Sequence, residues 1–216
     1  MRTSYPYQAA FVKLPRMKTI YLARHGKVEN PTRVFYTADF PLGSQGIHQA
    51  QALAKDILDA GCNPMRIVAS TYLRTRETAE IIAQTLGSRE VETDERLIEW
   101  QVGDWFGKPL DAFRVAAGYD QTPFQLKLKD IEQFEELSTR VISALHDLLD
   151  SIDENTCAVA VSHRESMVSA ILKLQDANDW SHIPLLDFPP GCCWKLEFNG
   201  HELISAEKIF DRSSVI

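Results

Sequence analysis

Apolar residues fall into two alternating patterns along the chain: short continuous runs, and longer stretches at helical spacing. Thr19, Ile20, Tyr21, Leu22 and Ala23 make the first short run. Its β-branched and aromatic members suit a strand buried on both faces. Residues 66–70 and 156–161 repeat the pattern, the second nearly all apolar. Between the runs the period changes. From Ser44 to residue 60, Ile47, Ala50, Leu53, Ala54, Ile57 and Leu58 recur three or four apart. Ser44 stands where a cap is wanted and Gly61 where a helix should stop. Residues 75–86 put Ala79, Ile82, Ala83 and Leu86 on one face and end at Gly87. Residues 130–152 carry the longest helical pattern, with Ile131, Phe134, Val141, Leu145, Leu148 and Leu149, and 164–174 are helical too. The runs 192–198 and 203–209 read as strands joined by Asn199-Gly200, a hairpin turn pair.

Strands alternating with helices predict an α/β fold, with a mostly parallel central sheet, helices on both faces and a late hairpin at one edge. A chain of 216 residues fits one domain that can bury a core without help from disulfides or metal. That domain is expected over residues 17–216, with a subregion near 90–130 capping the crevice. Residues 1–16 show neither a sustained apolar run nor a period. They read as an extension ahead of Met17, from which an alternative start would lead straight into the first strand. Neither a signal peptide nor a membrane span is expected.

A formal charge of −7 argues against a general nucleic-acid binder, which needs basic surface to displace counterions. If the ligand is an anion, its positive field must be local. Cys62, Cys157, Cys192 and Cys193 make no CxxC pair, and the adjacent Cys192 and Cys193 are poorly placed to bridge each other. The expectation is a reduced, cytoplasmic protein.

Ligands of open α/β sheets bind beyond the carboxyl ends of the strands, so the residues after each apolar run carry the most information. The first run delivers Arg24, His25 and Gly26. The second delivers Ser70, Thr71, Tyr72, Leu73 and Arg74, and the third Ser162, His163 and Arg164. Three strands thus bring Arg, His or both to one edge. A fourth stretch, around Glu99 and Trp100 and on to Trp105 and Phe106, adds a carboxylate and aromatics. Two guanidiniums and two imidazoles suit a dianionic phosphoryl group. A neutral histidine can take that group covalently, and a carboxylic acid can protonate the departing oxygen.

The segments LARHG, STYLRTRETAE, RLIEWQVGDWFGKPL and AVAVSH, in that order, resemble the histidine phosphatase superfamily in its phosphoglycerate mutase-like branch. The resemblance runs from about residue 19 to 198. It implies a phosphoglycerate mutase-like fold. It implies His25 as the phosphorylated nucleophile, Arg24 and Arg74 as phosphate-binding residues, Glu99 as proton donor and His163 as the second histidine. It also implies no metal and no organic cofactor. Asn30 and Arg164 are expected to contact substrate. The chain departs from the family at Lys27-Val28, where Glu-Thr is frequent, at Tyr72, where leucine is usual, and at Arg164-Glu165, where a small residue is common.

Arg76, Glu77, Glu92, Glu95 and Glu202 read as solvated charges. His48, His146, His182 and His201 read as structural or solvated, and no ligand spacing supports a metal. Gly103 to Lys108 lacks the spacing of a phosphate loop, and Pro109 stands where that loop needs Ser or Thr. Trp100, Trp105 and Phe106 are expected to be half core and half pocket wall, with Phe35 and Tyr36 gripping the leaving group. The expected function is a phosphomonoester hydrolase acting on a small phosphorylated metabolite through a phosphohistidine, with no nucleic-acid or membrane partner. The alternatives are a phosphoglycerate mutase-type transfer, a non-catalytic phospho-ligand module, and a protein phosphohistidine phosphatase. The sequence leaves oligomeric state open.

Overall fold

The computed structural model describes residues 17–87, 90–177 and 179–210. The proposed extension at 1–16 lies outside them. The elements run β1 (Lys18–Arg24), α1 (Ser44–Asp59), β2 (Arg66–Ala69), α2 (Leu73–Thr85), β3 (Val91–Thr93), α3 (Leu110–Ala117), α4 (Phe134–Asp150), β4 (Cys157–Ser162), α5 (Arg164–Leu174), β5 (Cys193–Asn199) and β6 (Glu202–Phe210). One sheet has the order β3-β2-β4-β1-β5-β6. β1, β2, β3 and β4 pair in parallel, while β5 and β6 add the antiparallel hairpin.

Alternate residues of each central strand face opposite cores. Ile20, Leu22, Val68, Ala158 and Ala160 meet Leu137, Val141 and Leu145 of α4 and Met167 and Ile171 of α5. Tyr21, Ala23, Ile67, Ala69, Val159 and Val161 meet Leu53 and Ile57 of α1 and Ala79 and Ile82 of α2. A strand covered on both faces has no polar side to show, hence the continuous apolar runs. Among the described residues no helix is long and apolar enough to cross a membrane.

Boundaries differ in physically simple ways. Ser44 is the first residue of α1, not its cap; Gly43 holds the extended cap position and no side chain caps the helix. Helix α2 begins at Leu73 rather than 75, with Tyr72 in the extended cap position ahead of it. Helix α4 starts at Phe134 rather than 130, where Gln133 and Glu136 form a reciprocal capping box. The sequence reading left out β3 and α3.

The expectation of four reduced thiols is corrected for two of them. Cys62 and Cys157 are disulfide-bonded, with Cα atoms 6.2 Å apart across a sequence separation of 95. Cys62 follows α1 and Cys157 opens β4; the Met65 amide donates to the Cys157 carbonyl, bringing the two segments together. Spacing in sequence could not reveal that contact. Cys192 and Cys193 are buried and remain thiols.

Candidate active site

The strand ends stay hydrogen-bonded past the sheet, which gathers their loops at one edge. The His25 amide donates to the Ser162 carbonyl at 3.1 Å, and the Ser70 amide to the Val161 carbonyl at 3.0 Å. His25 and His163 therefore lie together, their ring centroids 5.2 Å apart.

Hydrogen bonds set the state of each ring. His25 Nδ1 is 2.7 Å from the Gly26 carbonyl oxygen. A carbonyl only accepts, so Nδ1 carries the proton and Nε2 keeps its lone pair. His163 Nε2 is 2.8 Å from Ser70 Oγ, which itself accepts from the Tyr72 amide. Ser70 Oγ accepts from Thr75 Oγ1 as well, at 3.2 Å, so with both lone pairs taken the serine proton goes to Nε2 and the ring proton of His163 sits on Nδ1. Burial, followed by the charges of Arg74 and Arg24, pushes the His25 pKa well below the usual histidine value. Burial and Arg74, with His25 and Arg24 behind them, do the same to His163. Both rings are neutral at neutral pH.

Arg24 ends β1 and donates to the Phe188 carbonyl through Nη1. Arg74, in the first turn of α2, donates to the Thr37 carbonyl at 2.9 Å and lies over the rings of Tyr36 and Tyr72. Burial lowers its pKa to about 10, so it remains a cation at neutral pH. Arg24 Nε, Arg74 Nε and His163 Nδ1 are buried donors without a partner among the described residues. Such donors are costly unless an anion satisfies them, and a phosphoryl oxyanion has the matching acceptors.

Glu99 lies on an irregular segment held by its carbonyls. Arg140 of α4 donates to the carbonyls of Arg96, Ile98 and Glu99 at 2.7, 2.8 and 3.0 Å. Ser162 and Ser166 take those of Leu97 and Ile98. The Trp100 amide donates to Glu99 Oε1 at 2.9 Å, which leaves Oε2 for a proton. Burial and the neighbouring Glu165 carboxylate push the Glu99 pKa up to about 7, against the opposing pull of Arg24 and Arg74.

Part of this cluster borders a cavity of about 280 Å³. Arg24, Arg74 and Glu99 form part of its wall, with Phe35, Tyr36 and Trp100 beside them. Neither imidazole walls the cavity directly; His25 is 2 % exposed and His163 fully buried. Trp105 and Phe106 pack against the core instead of the cavity, while Phe113, Arg114 and Tyr119 line it.

Of the two expected substrate contacts, Asn30 lies off the cavity and Arg164 on its wall. Asn30 is spent on a turn: Nδ2 donates to the Val34 carbonyl at 2.7 Å and Oδ1 accepts from the Val34 amide at 3.2 Å. It does not border the cavity, although Val34 does. Arg164 reaches the wall, but its guanidinium is committed to Tyr119, Glu165 and two carbonyls. The sequence reading missed Tyr119, Arg114, Arg140 and the carboxylate of Glu165 as parts of the site. A spacing of Leu110, Phe113 and Ala117 after Pro109 was the signal for α3, which carries the first of these into place. Among the described residues no three His, Cys, Asp or Glu side chains are arranged to hold a metal ion.

The family model for the histidine phosphatase superfamily (branch 1) matches residues 20–208. The probable phosphoglycerate mutase GpmB of Proteus mirabilis is 33% identical over 156 residues, 68% of this chain and 70% of that protein. The structure is similar to Bacillus stearothermophilus YhfR, with a TM-score of 0.77 and 25% identity over 91% of this chain and all of that one. It shares its fold with the mycobacterial glucosyl-3-phosphoglycerate phosphatase, at a TM-score of 0.74 and 21% identity over 92% of this chain and 100% of the other. With this sheet order, this clustering of imidazoles and guanidiniums at one sheet edge, and a family match along nearly its whole length, the chain belongs to the histidine phosphatase superfamily, branch 1.

Proposed function

We propose that the chain hydrolyses small phosphomonoesters through a phosphohistidine at His25. One observation supports this above the others. The His25 ring is neutral, bonded through Nδ1 so that Nε2 is the free nucleophile, and sits with a second neutral imidazole and two guanidiniums.

The phosphoryl group enters between Arg24 and Arg74, whose unpartnered Nε donors, with His163 Nδ1, bind its oxygens. His25 Nε2 forms a bond to phosphorus as the ester P–O bond breaks. The departing oxygen takes the proton held by Glu99. The resulting Glu99 carboxylate then removes a proton from water, whose oxygen attacks phosphorus. The N–P bond breaks, and phosphate leaves with His25 neutral again. The elevated proton affinity of Glu99 suits both halves, since an acid–base group works best when its pKa is near the working pH.

Incubation with a labelled phosphomonoester and rapid quenching tests this. A phosphoenzyme that survives alkali but not acid is expected, with phosphate released and no label trapped in His25→Ala. Conversion of 3-phosphoglycerate to 2-phosphoglycerate without net phosphate release would instead establish the mutase reading. Tight phosphate-ester binding with no turnover would establish a non-catalytic module.

A further inference from the structure

Beyond Arg24 and Arg74, the cavity wall contains two more guanidiniums, and both are committed. Arg164 Nη1 donates to Glu165 Oε1 at 2.8 Å and lies 2.9 Å from Tyr119 Oη, while Nη2 donates to the carbonyls of Ile183 and Leu186 at 3.0 and 2.6 Å. Tyr119 Oη donates to the same Glu165 oxygen at 2.7 Å. The Glu165 side chain is only 16% exposed. Arg114 forms a forked pair with Asp120 and lies over the Tyr119 ring, 5.2 Å from its centroid. Each cation is matched by one carboxylate, so this part of the wall has no net formal charge. What it otherwise offers is flat and apolar: Phe35, Trp100, Leu110, Phe113 and Pro184.

We infer that the leaving group is an uncharged, ring-sized apolar alcohol, and that Glu165 sets this preference by holding the Arg164 charge away from substrate carboxylates. The inference rests on the phosphomonoesterase reading and gives it a substrate class. A substrate carboxylate would have to break a partly buried ion pair or lie unpaired beside Glu165. A substrate ammonium would meet a carboxylate already capped by Arg164 and Tyr119. A neutral ring displaces water from aromatic walls and breaks no pair. A cavity of about 280 Å³ is large enough for a phosphoryl group and one ring.

Binding is measured by calorimetry on the wild-type protein with three non-hydrolysable ligands: the 4-methyl, 4-carboxy and 4-aminomethyl derivatives of 2-phenylethylphosphonate. The methyl ligand should bind tightest, each charged one about 10-fold or more weaker. In Glu165→Gln, which leaves Arg164 without its carboxylate, the carboxy ligand should come within about 3-fold of the methyl ligand. Asp120→Asn, on the exposed side of Arg114, is a second variant that narrows the same gap without altering the buried wall. Equal or tighter binding of either charged ligand to the wild type, no binding of any ligand, or an unchanged gap in both variants overturns the inference. Phosphate release from 4-methylbenzyl phosphate is followed alongside. Absence of release despite tight binding of its phosphonate refutes the phosphatase reading, while the ranking by charge is decided separately.

Discussion

The imidazole of His25 meets that of His163 edge to face, with centroids 5.2 Å apart and planes at 63°. Different partners set the two tautomers: a backbone carbonyl at Nδ1 of His25 and a serine hydroxyl at Nε2 of His163. Their substitutions should therefore fail differently. His25→Ala removes the nucleophile and should lower turnover by about 10³-fold or more. His163→Ala removes a donor to the phosphoryl oxygens and should cost about 10²–10³-fold. Single-turnover experiments separate them: His163→Ala still forms phosphoenzyme, slowly, and His25→Ala forms none. Equal phosphoenzyme yields from the two variants would refute the assignment.

The pH profile follows from the directions of the shifts. His25 must be neutral to attack, and its pKa lies well below the usual 6.5, so phosphoenzyme formation should hold as pH falls through 6. Glu99 must be protonated to donate. Its pKa is raised, so activity should fall as pH rises past neutrality, when the proton is lost. Glu99→Gln should abolish that alkaline limb and slow turnover by about 10²–10⁴-fold for alkyl phosphates. The loss should be smallest for nitrophenyl phosphate, whose leaving group needs no proton. Equal losses for both substrates would remove Glu99 from the acid's role.

Arg140 does not line the cavity, yet the carbonyls of Arg96, Ile98 and Glu99 depend on its fork. Lysine carries the charge but cannot span that fork. Arg140→Lys should lower kcat about 10-fold with KM little changed, because a displaced carboxyl misaligns proton transfer more than it weakens phosphate binding. A change confined to KM would contradict the positioning role.

The parts of this site that were legible in the sequence are those that follow strands. Arg24, His25, Arg74 and His163 sit where continuous apolar runs end, and an open parallel sheet leaves such positions nowhere else to go. The two-sided sheet was legible for the same reason, since Ile20 and Tyr21 face different cores. Glu99 had an aromatic neighbour but no period; its placement depends on Arg140, some forty positions away, which no local pattern reports. Asn30 and Arg164 had suitable chemistry, but hydrogen bonds to Val34, Tyr119 and Glu165 take up their donors. The Cys62–Cys157 pair was hidden because its closeness comes from strand pairing across the sheet.

That disulfide joins segments at the ends of the strands away from His25, so it should affect stability and leave chemistry alone. Closing a loop of 95 residues restricts the unfolded chain, typically by about 2–4 kcal/mol. For a chain of this size that is about 5–15 °C in Tm. Reduction with dithiothreitol, or Cys62→Ser, should lower Tm by that amount with kcat/KM for phosphate release unchanged. Titration of four free thiols in the unreduced, denatured protein would show that the bond does not form.

The glycine of the Arg24-His25-Gly26 sequence is explained by close packing. A Cβ on Gly26 would lie 2.3 Å from the Gly46 carbonyl oxygen, and one on Gly46 would lie 2.1 Å from the Lys27 carbonyl oxygen. The loop after β1 and the first turn of α1 thus touch backbone to backbone, and the Gly43 amide donating to the Lys27 carbonyl fastens them. The obstacle in each case is backbone, which has no rotamer to change. Gly26→Ala and Gly46→Ala should each cost about 1–3 kcal/mol of stability. Because the shift is transmitted to His25, each should also slow phosphoenzyme formation. Gly61 makes the contrast: its φ of 75° favours glycine, but nothing lies within 4 Å of a Cβ there. Gly61→Ala should cost about 1 kcal/mol from backbone strain and leave turnover intact. Denaturant midpoints and single-turnover rates on the three variants decide it. Wild-type rates in Gly26→Ala would show that the close contact does not position the nucleophile.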